Sequence, residues 1–321
     1  MLLSLEDLTT VFPSASGPVR AVNQVSFSID RGEVLAVVGE SGSGKSVTAL
    51  SATRLVPQPP AIIESGRALL DGEDMLALPM RKMRRLLGRR VAMLFQNAFA
   101  ALHPLRSIGD QLLETIVLHR EVSRSDALRI GVDLLRSLGF VDPPALMKRY
   151  SFDVSAGDAQ RAMLAFALAG EPDLLIADEP TSLLDAVAQD EILTLLKQIQ
   201  ARTGMAIWLI THDFGVVSRL ADRVVVMYGG RAVESGPVDA LLGEPRHPYS
   251  RGLIASVPDA NARGRLRQIP GEIPDLARLP AGCAFRARCD RAQTRCGSDE
   301  PVALPVGDGR TARCWLYSDA A

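Results

Sequence analysis

The octapeptide "GESGSGKS", Gly39 to Ser46, fits G-x-x-x-x-G-K-[ST] and stands between an apolar run, "EVLAVV", and a helical pattern, "SVTALSATRL". A buried strand that passes through such a loop into a helix admits few architectures. The glycines let the backbone turn sharply and aim successive N–H groups inward, while the helix N-terminus adds about half a positive charge. Gly39, Ser41, Gly42 and Gly44 therefore outline a cradle for phosphate oxygens. Lys45 is placed to reach the β- and γ-phosphates of a nucleotide as a point charge, and the Ser46 hydroxyl to ligate Mg²⁺. The expected ligands are ATP and Mg²⁺.

A cradle of this kind needs a metal-and-water half on another strand. The run "LLIADEP" ends an apolar strand with Asp178 followed by Glu179. Two adjacent carboxylates at a strand end divide the work: Asp178 holds Mg²⁺ through its water shell, and Glu179 polarises the attacking water as general base. A pair of solvated turn acids is the plain alternative, weakened by the cradle upstream.

The remaining pattern sets an α/β class. The segment from about Leu3 to Val38 alternates apolar and polar residues in short runs broken by "PSASGP", which predicts a small antiparallel sheet leading into a buried strand. From about residue 100 to 165 the reading is helical, with Leu and Ile at spacings of three and four in "IGDQLLETIVLH" and "DALRIGVDLLRSLGF". Strand-like runs then recur at "DLLIA", "AIWLIT" and "RVVVMY", with "DAVAQDEILTLLKQIQAR" as a helix between the first two. Strand, helix, strand implies a parallel sheet. Beyond about residue 240 the chain is rich in Pro, Arg and Cys and loses its period, so we expect a main domain over 1–240 and an extension over 241–321.

Composition excludes some partners. With 36 Lys and Arg against 37 Asp and Glu, the net charge of −1 offers no field for nucleic acid. No apolar run approaches the roughly 20 residues of a membrane span, and Glu6 and Asp7 interrupt the opening segment where a signal peptide is apolar. The expected location is cytoplasmic, and a chain of this type can still dock on membrane partners.

With these motifs in this order, the sequence resembles the ATP-binding subunits of ABC transporters over nearly its whole length. The fold implied is a P-loop NTPase of RecA-like type with an antiparallel β subdomain, a helical subdomain at about 100–165 and a C-terminal Cys-containing extension. Gln96 in "AMLFQN" is similar to the Q-loop glutamine, which senses the γ-phosphate and Mg²⁺ and faces the membrane subunits. His212 in "LITHD" is similar to the switch histidine, and Asp185 closes "SLLD", which is similar to the D-loop. Phe12 is the nearest candidate for the aromatic ring that stacks on adenine, or equally a core phenylalanine.

The resemblance departs at the signature, usually LSGGQ-like, which reads "VSAGD" from Val154 to Asp158. Ser155 and Gly157 are kept for nucleotide contact. Ala156 replaces a glycine, at a cost of about 1 kcal/mol if a glycine-only conformation is required there. Asp158 repels phosphate unless a cation intervenes. Ser155 and Asp158 also fit an S-x-x-D helix cap, which needs no nucleotide. The reading implied is one half of an unequal pair, the second ATP-binding subunit carrying an intact signature. A catalytically weakened regulatory subunit of the pair is one alternative.

Cys283, Cys289, Cys296 and Cys314 are the only cysteines and fall in the last 39 residues. Clustered thiols in a cytosolic chain suggest a metal rather than disulfides. Spacing leaves zinc, an iron–sulfur cluster and reduced structural thiols open. Arg286, Arg288, Arg291 and Arg295 surround them, either offsetting cluster charge or forming a solvated face. This tail resembles that of the oligopeptide and dipeptide importer branch, which also includes nickel and opine importers, and the resemblance favours a [4Fe–4S] cluster on all four thiols. The function implied is to power uptake of di- and oligopeptides; beside the weakened regulatory subunit, the alternative is an ATPase of a related importer for nickel, an opine or another small solute. The resemblance further implies two transmembrane permeases, a solute-binding protein acting indirectly, a peripheral place on the cytoplasmic face of the inner membrane, and no nucleic acid.

Overall fold

Alternating apolar positions near the N-terminus become two long antiparallel strands, β1 (Leu3–Phe12) and β2 (Val19–Ile29), which bury Leu3, Leu5, Leu8, Val22 and Val25 on one side. The next strand, β3 (Val34–Val38), is buried at all five positions, as its unbroken apolar run requires. The loop after it enters α1 (Lys45–Ala52), and β4 (Ile62–Leu70) and β5 (Glu73–Asp74) extend the antiparallel sheet in the order β2-β1-β4-β5. Thr10 on β1 donates to Ser51 on α1 at 2.8 Å, a buried bond that ties this sheet to the helix.

The computed structural model describes residues 1–15, 17–257 and 268–320. The expected loop "PSASGP" and the expected extension thus lie partly outside the described residues. The chain divides into two units, one of Met1–Ile29, Val34–Leu76 and Thr211–Ala321, the other of Asp30–Glu33 and Ala77–Ile210.

The second unit opens with α2 (Met80–Leu86), β6 (Val91–Leu94) and α3 (Ala98–Ala101). Helices then dominate: α4 (Ile108–Arg120), α5 (Arg124–Ser137), α6 (Pro143–Met147) and α7 (Ala156–Leu168). Ser107 and Ser123 cap α4 and α5 by accepting the N–H of Asp110 and Asp126. The apolar stripes read from the sequence bury Ile108, Leu112 and Ile116 on α4 and Ala127 and Leu135 on α5. After α7 come β7 (Leu174–Asp178), α8 (Ala186–Thr203) and β8 (Ala206–Thr211), with β6, β7 and β8 parallel in that order.

The first unit resumes with α9 (Phe214–Leu220), β9 (Arg223–Tyr228), β10 (Arg231–Pro237), α10 (Val238–Gly243) and α11 (Pro248–Ala255). β9 runs parallel to β3, from Leu35 opposite Arg223 to Val38 opposite Val226, and β10 lies antiparallel to β9. The extension then returns to this sheet. Its short strands β11 (Leu304–Pro305) and β12 (Thr311–Ala312) add to the free side of β10, with Glu234 opposite Ala312. Two residues carry no readable period, so this pairing was invisible in the sequence. No described helix is long and apolar enough to cross a membrane.

Candidate functional site

The cradle is a loop whose backbone only glycine permits at its two ends. Gly39 has φ 154° and an added Cβ there meets the Met227 carbonyl oxygen at 2.3 Å; Gly44 has φ 101° and its Cβ meets the Ala21 carbonyl oxygen at 2.2 Å. Gly44 is also the N-cap of α1 and supplies no side-chain cap. Lys45 bends back over the loop, donating to the carbonyls of Gly39 at 2.8 Å and Glu40 at 3.1 Å. The Ser43 hydroxyl is buried without a hydrogen-bond partner, the kind of polar orphan that a phosphate oxygen satisfies. This glycine-walled loop, with the Lys45 ammonium over it, fits a nucleotide polyphosphate.

His212 follows β8, is exposed, and shares with the cradle rim a cavity of about 910 Å³ lined by Gly39, Glu40, Ser41, Asp213 and Arg288 as well. Asp213 caps α9 by accepting the N–H of Gly215 at 2.7 Å, which fixes the turn carrying His212. Phe12 ends β1 opposite Val19 and is half-buried.

In the second unit the acidic pair and the glutamine come from adjacent strand ends. Leu94 pairs with Ala177, so Gln96 and Glu179 each lie two residues beyond a paired position on the same edge of the sheet. Asp178 is buried at the last residue of β7, while Gln96 is exposed. Glu179 has φ 48°, a left-handed conformation that costs a non-glycine residue about 1–2 kcal/mol. Its N–H donates to Ile210 at 2.9 Å, and its carbonyl accepts from Ser182 at 3.3 Å, which holds the turn. Asp185 caps α8, accepting the N–H groups of Val187 and Ala188 at 3.0 Å each.

The signature corrects one expectation. Ala156 is the first residue of α7 and is absent from the residues with positive φ, so no glycine conformation is needed and the anticipated cost of about 1 kcal/mol does not arise. Ser155 is the N-cap, its Oγ accepting the Asp158 N–H at 3.1 Å. The Asp158 carboxylate turns to Arg161 at 2.6 Å, the cation its charge called for, and Arg161 lies over the Phe140 ring.

In the extension the four thiols line one enclosed cavity together with Phe285 and Trp315. The Cys283 N–H donates to the Cys296 carbonyl at 2.9 Å. Burial pushes the Cys283 thiol up to about 11 and raises Cys289 and Cys314 as well. Among the described residues, however, no group of three or more His, Cys, Asp or Glu side chains is placed to hold a metal ion, so the expected [4Fe–4S] shell gains no support. The arginines divide their roles. Arg286 and Arg291 line the thiol cavity, Arg295 stacks on Trp315 at 3.6 Å and pairs with Asp299 at 3.4 Å, and Arg288 is buried against Glu40. The Glu40 contact was missed in the sequence, although an acid inside a phosphate cradle is itself a signal that a cation must come from elsewhere.

Comparison with known proteins gives the family. The family model for ABC transporters matches residues 22–182, and the model for the oligopeptide/dipeptide transporter C-terminal region matches residues 233–296. The chain is 43% identical, over 99% of itself and 96% of the relative, to a probable peptide ABC transporter ATP-binding protein, y4tR, of Sinorhizobium fredii. It is 41% identical to the oligopeptide transport ATP-binding protein OppD of Bacillus subtilis, over 98% of itself and 88% of OppD. It is 43% identical to the probable D,D-dipeptide transport ATP-binding protein DdpD of Escherichia coli, over 98% and 96%. Among solved structures, the ATP-binding cassette MJ0796, a dimer bound to ADP and Pi, superposes with a TM-score of 0.66 at 22% identity, over 74% of this chain and 99% of that one; this likeness concerns the fold. For cbiO1 of Clostridium perfringens the TM-score is 0.63 at 27% identity, over 76% of this chain and 91% of cbiO1.

Proposed function

The chain belongs to the ABC transporter ATPases, in the branch with the oligopeptide/dipeptide transporter C-terminal region, and from that premise we propose that it powers uptake of di- and oligopeptides as one ATPase of an unequal pair. The observation that carries the cargo class is likeness to named peptide-transport ATPases over both cassette and tail.

In this reading residues 1–240 form the cassette and 241–321 the extension. The cradle residues Gly39, Ser41, Gly42 and Gly44 bind the polyphosphate of ATP by backbone N–H groups and Lys45 neutralises the β- and γ-phosphates; Ser46, Asp178 and Gln96 are the residues that would hold Mg²⁺, which would offset the phosphate charge. Glu179 takes a proton from the attacking water, and His212 holds that water against the γ-phosphate. Phe12 stacks on adenine. Ser155, Gly157 and Asp185 act across a dimer interface on the nucleotide of a second ATP-binding subunit. Two permeases anchor the pair to the cytoplasmic face of the inner membrane, and a solute-binding protein delivers the peptide. The alternative of a weakened regulatory subunit rests on the altered signature "VSAGD"; the helical conformation of Ala156, the pairing of Asp158 with Arg161 and the presence of Lys45, Glu179 and His212 weigh against it.

A [4Fe–4S] cluster would be held by Cys283, Cys289, Cys296 and Cys314, which line one cavity and offer soft thiolate donors, although their side chains are not arranged as a metal site here. Iron and acid-labile sulfide analysis of anaerobically purified chain tests this. About four irons per chain supports the assignment, and folded, nucleotide-binding, metal-free protein refutes it.

The function is tested by tagging the chain in its host, extracting membranes in mild detergent and identifying what co-purifies. Recovery of two multi-spanning permeases with a second ATPase supports the reading. Recovery of ribosomes or nucleic acid overturns it.

A further inference from the structure

Glu40, the second residue of the phosphate cradle, is gripped by the C-terminal segment of the same unit. Arg288 meets its carboxylate with both terminal nitrogens, Nη1–H donating to Oε2 at 2.7 Å and Nη2–H to Oε1 at 2.9 Å. The Tyr249 hydroxyl accepts the Glu40 backbone N–H at 2.8 Å. On the other side of that residue, the Glu40 carbonyl accepts from Lys45 at 3.1 Å and from the Ser43 N–H at 3.2 Å. The peptide that opens the cradle is therefore held at its N–H, its carbonyl and its side chain.

The groups doing the holding are themselves fixed. Arg288 has a side chain only 5% exposed, its Nε–H donates to the Pro270 carbonyl at 2.9 Å, and Nη1–H reaches the Tyr228 hydroxyl at 3.4 Å. Behind this contact Tyr228 packs edge to face on Phe285, and Tyr249 lies tilted against both, with ring centroids 4.5 to 5.4 Å apart. The ion pair spans 248 residues of sequence, so it exists only because the extension folds back on the cassette. A bidentate arginine fork fixes both position and orientation of a carboxylate.

An acid at this place conflicts with the purpose of the loop. An uncompensated carboxylate on the cradle rim repels a polyphosphate, and the more so in a partly buried setting. We propose that Arg288 and Tyr249 are positioning residues for nucleotide binding: the C-terminal extension braces the cradle through Glu40, and Arg288 cancels the charge that Glu40 otherwise sets against the triphosphate. This inference rests on the cradle binding ATP, as the family requires. It gives the extension a task in the ATPase cycle beyond covering the sheet edge.

The test is calorimetric titration of the full chain with magnesium and a non-hydrolysable ATP analogue, alongside the melting temperature of the nucleotide-free form. Arg288→Met is expected to weaken binding about tenfold, and Glu40→Gln added to Arg288→Met to restore it to within about threefold of the parent. Tyr249→Phe, which keeps the ring packing and deletes one hydroxyl, is expected to weaken binding about threefold. Lost tail packing alone is not rescued by neutralising Glu40, so a defect that persists in the double variant overturns the proposal. So does unchanged binding in Arg288→Met. Should Arg288→Met fail to fold, unchanged binding in Tyr249→Phe overturns it equally. A parent chain that binds no analogue at all breaks the ATP-binding reading instead.

Discussion

Two helices of this chain begin at segments that the proposed function assigns to nucleotide, and they begin in opposite ways. α1 starts at Gly44, left-handed at φ 101°, with no side-chain cap, and a buried Ser43 hydroxyl without a partner beside it. α7 starts at Ser155, whose hydroxyl accepts the Asp158 N–H, with Asp158 in turn paired to Arg161. The first start has no side-chain cap, and its loop is held by Lys45 and by the tail. The second satisfies itself. An open helix start is a ready anion site but contributes little to its own stability, whereas a capped start is stable alone and must surrender its cap to bind anything else.

The largest effects are expected where the open cradle meets chemistry. Glu179→Gln should leave MgATP binding in place and lower turnover by the assembled complex about a hundredfold or more, measured as phosphate release. Unchanged turnover removes Glu179 from the role of base. Gly44→Ala strikes the open start directly, since its Cβ falls 2.2 Å from the Ala21 carbonyl oxygen in a left-handed conformation. We expect a loss of about 2 kcal/mol or more in denaturant unfolding, together with lost nucleotide binding. Retention of both would mean that the cradle tolerates an ordinary helix start and that the contrast between the two helices is superficial.

These two starts also differ in how much of them the sequence made legible. The cradle was readable because strand, glycines, lysine and helix fall within about twenty consecutive residues, and the same holds for Asp178 and Glu179 at the end of an apolar run. The S-x-x-D cap of α7 was readable for that reason too. That cap at Ser155 also puts the next residue, Ala156, in helical conformation, where alanine is favoured. The brace on Glu40 and the return of β12 to β10 were not legible. Both join residues from opposite ends of the chain, and Arg288 sits in an arginine-rich run whose other members face the thiol cavity or Trp315. Local spacing reports local partners, and a single inward arginine leaves no period.

A smaller effect tests the capped start. Ser155→Ala should cost about 1 kcal/mol of stability, seen as a fall of a few degrees in melting temperature, with isolated-chain nucleotide affinity unchanged. Weakened affinity in the isolated chain would show that Ser155 acts on this chain's own cradle, and the division of labour between the two helix starts would have to be redrawn.

Ala156→Gly, which restores the glycine usual at this signature position, is expected to have the smallest effect. Were Ala156 in a conformation reserved for glycine, the reverse change would relieve strain and raise both stability and turnover. Ala156 is instead the first helical residue, half-buried, behind a serine cap, so glycine adds only backbone freedom to the unfolded chain. The expected outcome is a loss of a few tenths of a kcal/mol and a turnover within about twofold of the parent complex. A tenfold rise in turnover would identify the alanine methyl as a brake on the partner's nucleotide, and α7 would then be a functional start tuned against binding rather than one that merely satisfies itself.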